Sequence, residues 1–156
     1  MEKNQSNLIS LLDILADIYE TKLPFNKILG LRVDRLEPDH VRMGFDMKPE
    51  LVGNYVHGVL HGGVISSVLD ATGGITASIG VVERLQTRPP AEIARGISKV
   101  GTIDLRVDYL RPGLGKRFYT TGTILRNGKK VTVARMELHN DLEKVIAVGT
   151  GTYIVG

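Results

Sequence analysis

The sequence predicts an α+β fold: an antiparallel β-sheet wrapped around one long central helix, with an amphipathic helix ahead of it. Three observations carry this. Residues 59–82, VLHGGVISSVLDATGGITASIGVV, are apolar on nearly every helical face, and a helix apolar all round belongs inside a fold. Two segments of strand-like character precede that stretch and four follow it. The first twenty residues instead space their leucines as a helix does.

In chain order, Leu8, Leu11, Leu12, Leu15, Ile18 and Tyr19 fall on one side of a helix, opposite Asp13, Asp17 and Glu20. The helix runs about four turns and closes near Pro24. Its polar face lacks the basic residues of a membrane-surface helix, so it packs on the domain. The chain divides accordingly into an N-terminal helix over 1–23 and a main domain over 24–156. Two strands are expected between Ile28 and Met47, joined by a turn at Glu37-Pro38-Asp39-His40. In the second, Val41, Met43 and Phe45 alternate with Arg42, Gly44 and Asp46. Lys48–Leu60, with Pro49, Gly53, Asn54 and Gly58, reads as a loop feeding the central helix.

Beyond the helix, Pro89-Pro90 breaks the chain and Ala91–Ile97 forms a short surface helix. Thr102–Tyr109 alternates polar and apolar without a fault and ends at Arg111-Pro112-Gly113. Arg117–Arg126 and Lys129–His139 flank Asn127-Gly128, a strong hairpin signal. Val145–Val155 follows the turn at Asn140-Asp141. These four strands are expected to run as an antiparallel meander. One sheet curled round one helix leaves edge strands and an open face, which predicts a homo-oligomer.

Composition narrows the function classes. A chain of 156 residues with 24% charged side chains is one ordinary globular domain. Its net charge of +3 is dispersed rather than gathered in a basic run, which argues against nucleic-acid binding. Without cysteine there is no disulfide, thiolate nucleophile or Cys-bound metal. The first residues lack the basic start, apolar run and cleavage site of a secretory signal. The glycines, serines and Asp70 of the central helix argue against a membrane span. A cytoplasmic protein with no stable membrane anchor is the expectation.

Asp70 is the single formal charge between Val59 and Val82. Among Val68, Leu69, Ala71 and Ile75 it either finds partners that merely anchor the helix or serves as a base. His61-Gly62-Gly63 opens the helix, where unpaired N–H groups and the positive end of the helix dipole can hold an oxyanion. Gly63 and Asp70 are seven positions apart, about 10 Å along a helix at 1.5 Å per residue. A base and an oxyanion hole must each approach the same carbonyl within about 3 Å. One helix cannot bring both there, but two copies can, with Gly62 of one facing Asp70 of the other. An active site that uses both features therefore lies between subunits.

Other patterns are weaker. His57 and His61 stand four apart, but Gly58 interrupts them and no third ligand is evident, so no metal is expected. No Gly-x-Ser-x-Gly elbow occurs, and Gly149-Thr150-Gly151 lies in a strand without the lysine of a phosphate loop. Arg111, Arg126, Lys129 and Lys130 gather at strand ends, either as a solvated rim or as a phosphate contact.

His61-Gly62-Gly63 followed by Asp70, the run TIDLRVDYLRP over Thr102–Pro112, and the Asn127-Gly128 hairpin together resemble the PaaI-like hotdog-fold thioesterases. The likeness covers the chain from about Pro24 onward. Pro24-Phe25-Asn26 and Val52-Gly53-Asn54 are similar to the YigI-type medium/long-chain acyl-CoA thioesterases in particular. The resemblance implies hydrolysis of an acyl-CoA thioester in a dimer or dimer of dimers, with CoA arriving as part of the substrate and no separate cofactor. It implies Asp70 as general base or nucleophile, Gly62 N–H as carbonyl donor, and His61 and Gly63 as its support. It also implies Thr102 as a hydroxyl that places water. Family members often carry an amide six residues before that histidine; here the position is Tyr55, with Asn54 beside it.

A thioester site needs an apolar channel and a basic rim. Ile65, Leu69, Phe25 and the N-terminal helix are candidates for the channel. Arg111, Pro112, Arg126 and Lys130 are candidates for the CoA contact. A non-catalytic acyl-CoA-binding module, an aryl-CoA thioesterase and a hotdog hydratase remain as alternatives.

Overall fold

A computed structural model describes residues 2–38 and 40–156. Helix α1 (Glu2–Asp17) runs into a π-helical turn (Ile18–Lys22) and a short helix α2 (Pro24–Leu29), then β1 (Arg32–Glu37) and β2 (His40–Asp46). A single 3₁₀ turn (Pro49–Leu51) leads to a small ribbon, β3 (Val52–Asn54) and β4 (Val59–Leu60). Helix α3 (Gly62–Leu85) and helix α4 (Pro90–Ser98) follow, then β5 (Gly101–Tyr109), β6 (Arg117–Asn127), β7 (Val131–Asn140) and β8 (Val145–Ile154).

Six strands make one antiparallel sheet in the order β1-β2-β6-β7-β8-β5. Strand β7 shows how the sequence builds it: Thr132, Ala134, Met136, Leu138 and Asn140 are buried while their neighbours along the strand are half-exposed. That period of two turns one face of the sheet toward α3. α3 lies across this face, and α1 covers its far side through Leu12 and Leu15, which join the same core. Covered from both sides, the helix can be apolar all round. It is long and apolar enough to cross a membrane by length and composition, yet most of it is buried inside the protein. Its hydroxyls are answered within the helix: Thr72 donates to Val68 O at 2.7 Å, Thr76 to Thr72 O at 2.6 Å, and Ser78 to Gly74 O at 2.9 Å.

Two sequence expectations change. The last four strands are not a meander: β6-β7-β8 is one, but β5 pairs with β8 at the sheet's edge and β6 pairs with β2. Residues 110–116 separate β5 from β6, more than a tight hairpin uses, so chain adjacency does not enforce pairing there. Pro24 opens a helix, α2, as proline at a first helical position does. In the β1–β2 turn, Glu37 pairs with His40, and Asp39 lies outside the described residues.

Candidate active site

Two stations on α3 collect the residues singled out by sequence. At its start His61 is extended (φ −64°, ψ 137°) and acts as the N-cap. Its Nδ1 accepts a 2.8 Å bond from Gly63 N–H. That uses one of the helix's free donors and leaves Gly62 N–H, at the first helical position, outside the intrahelical ladder. The Tyr109 hydroxyl, at the end of β5, donates to Gly62 O at 3.1 Å. His61 is held by its own backbone as well, through N–H to Leu51 O at 2.8 Å. A Cβ at Gly53 would stand 2.6 Å from His61 Cα, so the ribbon needs glycine to come this close.

Two turns on, Asp70 is half-buried rather than sealed in the core. Thr102, at the start of β5, donates to Asp70 Oδ1 at 2.8 Å. The Tyr153 hydroxyl of β8 lies 3.3 Å from both Oδ1 and the carbonyl oxygen of Asp70. Among the described residues no protein donor reaches Oδ2, so the carboxylate is anchored by one oxygen and presents the other. Burial first, and then the charge of Asp70, push the Tyr153 phenol far up from its ordinary value, so it stays a proton donor. Burial likewise pushes Tyr19 up to about 12, with Asp70 adding to the shift.

Tyr153 escapes sequence reasoning because its reach to Asp70 depends on β8 lying beside β5, where Thr102 is its cross-strand partner. The signal that could have found it is glycine. A Cβ on Gly73 would overlap the Tyr153 hydroxyl, and one on Gly151 would stand 2.6 Å from it. The glycines of the last strand thus include one that clears space for a tyrosine ring.

Asp70 opens into a cleft of about 230 Å³ walled by Tyr19, Leu23, Phe25, Ala71, Val100 and Thr102. Its other surroundings include Asn26, whose amide donates to Tyr19 O at 2.9 Å. α2 therefore supplies one side of the cleft, with Phe25 55% exposed beside it.

Other candidates lie elsewhere. Ile65 and Leu69 are packed into the core of the single chain and line none of the described clefts. A Cβ on Gly149 of β8 would stand 3.5 Å from Leu69 Cδ1, so Leu69 meets the sheet. Asn54 spends its Oδ1 on its own loop, accepting from Val56 N at 3.0 Å and His57 N at 3.2 Å. Arg111 donates to Val145 O at 2.8 Å and, with Pro112, borders a separate cleft at one end of the sheet. Arg126 and Lys130 flank the β6–β7 turn at the other end. The ten-residue length of β7 puts about 30 Å between those ends, so within one chain these cations form two groups and not a single rim. Among the described residues no three His, Asp or Glu side chains gather as a metal site.

With that geometry in view, the likeness to known proteins can be placed. The thioesterase superfamily model matches residues 57–147, from the loop before the helix cap into β8. The medium/long-chain acyl-CoA thioesterase YigI of Escherichia coli K12 is 43% identical over 145 residues, 93% of this chain and 94% of that protein. Its counterpart in Salmonella typhimurium is 44% identical over the same shares. A crystal structure from Shewanella oneidensis, described as related to the thioesterase superfamily, superposes with a TM-score of 0.91 at 45% identity. That superposition covers 96% of this chain and 97% of the other. A family model over more than half of the chain and relatives above 40% identity across nearly its whole length agree, and this chain belongs to the thioesterase superfamily.

Proposed function

We propose that the protein hydrolyses acyl-CoA thioesters to a free acid and CoA, with Asp70 as general base and Gly62 N–H as oxyanion donor across a dimer interface. The observation that carries this is the pairing of β5 with both stations: Thr102 holds Asp70 and Tyr109 holds Gly62. β5 is an edge strand with unpaired backbone groups and exposed side chains at Ile103 and Tyr109, followed by the exposed Leu110. Such an edge invites pairing with another strand. A two-fold axis between Leu105 and Arg106 would set two β5 strands antiparallel, with Thr102 opposite Tyr109 of the partner subunit. Asp70 then meets Gly62 of the partner subunit, as the distance along the helix requires.

In the reaction, the oxygen of Asp70 that Thr102 leaves free takes a proton from water as the water oxygen attacks the thioester carbon. The carbonyl oxygen becomes an oxyanion against Gly62 N–H of the partner subunit. Collapse breaks the carbon–sulfur bond, and the departing CoA thiolate takes the proton from Asp70. No cofactor enters this scheme. The similarity to the YigI enzymes supports a medium- to long-chain acyl group, and the apolar residues Leu23, Phe25, Ala71 and Val100 offer it a wall. A dimer is the smallest assembly the scheme needs, and a dimer of dimers is compatible with it.

The test is CoA release across a series of acyl chain lengths and a benzoyl ester, with Asp70→Asn alongside. The expected result is turnover that favours the aliphatic esters and a fall in kcat of at least about a hundredfold in the variant, with fold and oligomer intact. Wild-type protein that binds acyl-CoA without releasing CoA would mark a binding module, and preference for the benzoyl ester would mark an aryl-CoA enzyme. Formation of 3-hydroxyacyl-CoA from an enoyl ester would mark a hydratase.

A further inference from the structure

A second cleft, about 490 Å³, lies at the far end of α3 and is bordered by four cations from three elements. Arg84 comes from the last turn of α3, Arg95 and Lys99 from α4 and its C-cap, and Lys129 from the β6–β7 hairpin. Glu92 is the only acidic side chain among the described residues on its wall. Among the described residues Arg95, Lys99 and Lys129 have no ion-pair partner. Arg84 is fixed by a 2.5 Å bond to Asn127 Oδ1. Like charges held side by side repel one another, and an anion seated among them relieves that repulsion.

The cluster is built, because Gly96 lets α4 press against α3. A Cβ there would stand 2.7 Å from Leu85 Cδ1 and 2.9 Å from Val81 Cγ1. The buried Ile93 holds the same face of α4 down, and the exposed Arg95 and Lys99 line the cleft.

The position of the cleft relative to Asp70 gives it meaning. The Asp70 cleft includes Val100, Gly101, Thr102 and Tyr153, and the basic cleft includes Lys99, Val155 and Gly156. The two therefore adjoin at the start of β5 and again at the end of β8. Along α3, Arg84 is fourteen positions from Asp70, about 21 Å at 1.5 Å per residue. A thioester at Asp70 with a long, flexible arm would reach the cations over the Val100–Gly101 backbone.

We propose that this cleft binds the phosphorylated adenosine end of CoA while the thioester lies at Asp70. The inference rests on the acyl-CoA reading above and deepens it, by making the nucleotide, rather than a carrier protein, the recognised handle.

The test compares one acyl group carried on CoA and on pantetheine, which has no phosphates. In Arg95→Gln/Lys99→Gln, KM for acyl-CoA should rise about tenfold with kcat within about twofold, because each lost cation–phosphate contact weakens binding a few-fold. KM for acyl-pantetheine should not change. Lys129→Gln, on a different element, should repeat the effect at about threefold. Adenosine bisphosphate should compete with acyl-CoA in the wild type and about tenfold more weakly in the double variant.

An equal rise in KM for both carriers, or none for acyl-CoA, would overturn the proposal. So would a loss confined to acyl groups on a carrier protein, which would make the cleft a protein-docking face. Should the wild type hydrolyse no thioester at all, the functional reading fails by itself. Calorimetric binding of adenosine bisphosphate, lost in the double variant, would then still support the anion site, and its absence would sink it.

Discussion

Gly62 and Asp70 stand on one helix, yet the two stations are made from different parts of the chain. The Gly62 station is built of backbone: its donor is a main-chain N–H, its acceptor a main-chain carbonyl under Tyr109, and its neighbour Gly63 is capped by His61. The Asp70 station is built of side chains, a carboxylate held by a threonine from β5 and a tyrosine from β8. The first needs only a correct turn and a helix start. The second needs two strands in the right order. Substitutions should therefore act differently at the two ends.

The largest expected effect breaks the backbone station without touching a side chain. Gly62→Pro removes the N–H but suits a first helical position, and the extended His61 tolerates a following proline. The fold should survive while kcat falls about 10²–10³-fold, the usual cost of losing an oxyanion donor. Gly62→Ala keeps the N–H, and its Cβ would make an ordinary 3.6 Å contact with Tyr109, so its kcat should stay within a few-fold of wild type. Steady-state kinetics on the pair decides whether that N–H is the functional group. Equal rates for the two variants would remove Gly62 from the mechanism.

At the side-chain station, Tyr153→Phe deletes one donor to Asp70 and should lower kcat about tenfold, with little change in KM. A loss in Tm without any change in kcat would reduce Tyr153 to packing. His61→Ala should cost about 1 kcal/mol of stability through the lost N-cap, read from denaturant midpoints.

A separate effect is on the alkaline side. Tyr19 is pushed up to about 12 and Tyr153 further, chiefly by burial. A phenol whose folded pKa exceeds its unfolded value stabilises the protein fully below pH 10, and that stability is lost as pH rises through about 12. Denaturant midpoints should therefore fall between those values, with less of a fall in Tyr153→Phe.

Much of the site was legible in sequence because its features are local. Asp70 stands out as the lone charge in an apolar run, and His61-Gly62-Gly63 announces a helix start by composition. The six sheet strands were legible from alternation and turn residues, and Asn127-Gly128 fixed one hairpin. The two short strands inside the loop before the helix were not, because β4 is two residues long and too short to show a period. Tyr153 was hidden because a period of two says which face a residue takes and not which strand lies beside it. The burial of Ile65 and Leu69, expected to line an acyl channel, was hidden for a related reason. In a helix apolar on every side, composition does not say which face meets the core and which meets a cleft.

The basic residues divide in the same way. Sequence shows that Arg111 and Arg126 both sit at strand ends, and only the strand order shows that those ends are opposite. Arg84, Arg95, Lys99 and Lys129 come from three elements, and their meeting depends on α4 folding back against α3 at Gly96.

By itself, then, the sequence determined the central helix, the glycine turn that opens it, the lone Asp70 upon it and the distance between the two, since each follows from local composition or from the fixed rise of an α-helix. Only the tertiary structure decided which strand carries the partners of Asp70, where the cleft opens, and which cations share a wall with it. Those are contacts between segments distant in the chain, set by the order in which strands pair and by how closely helices pack, and no local pattern encodes either.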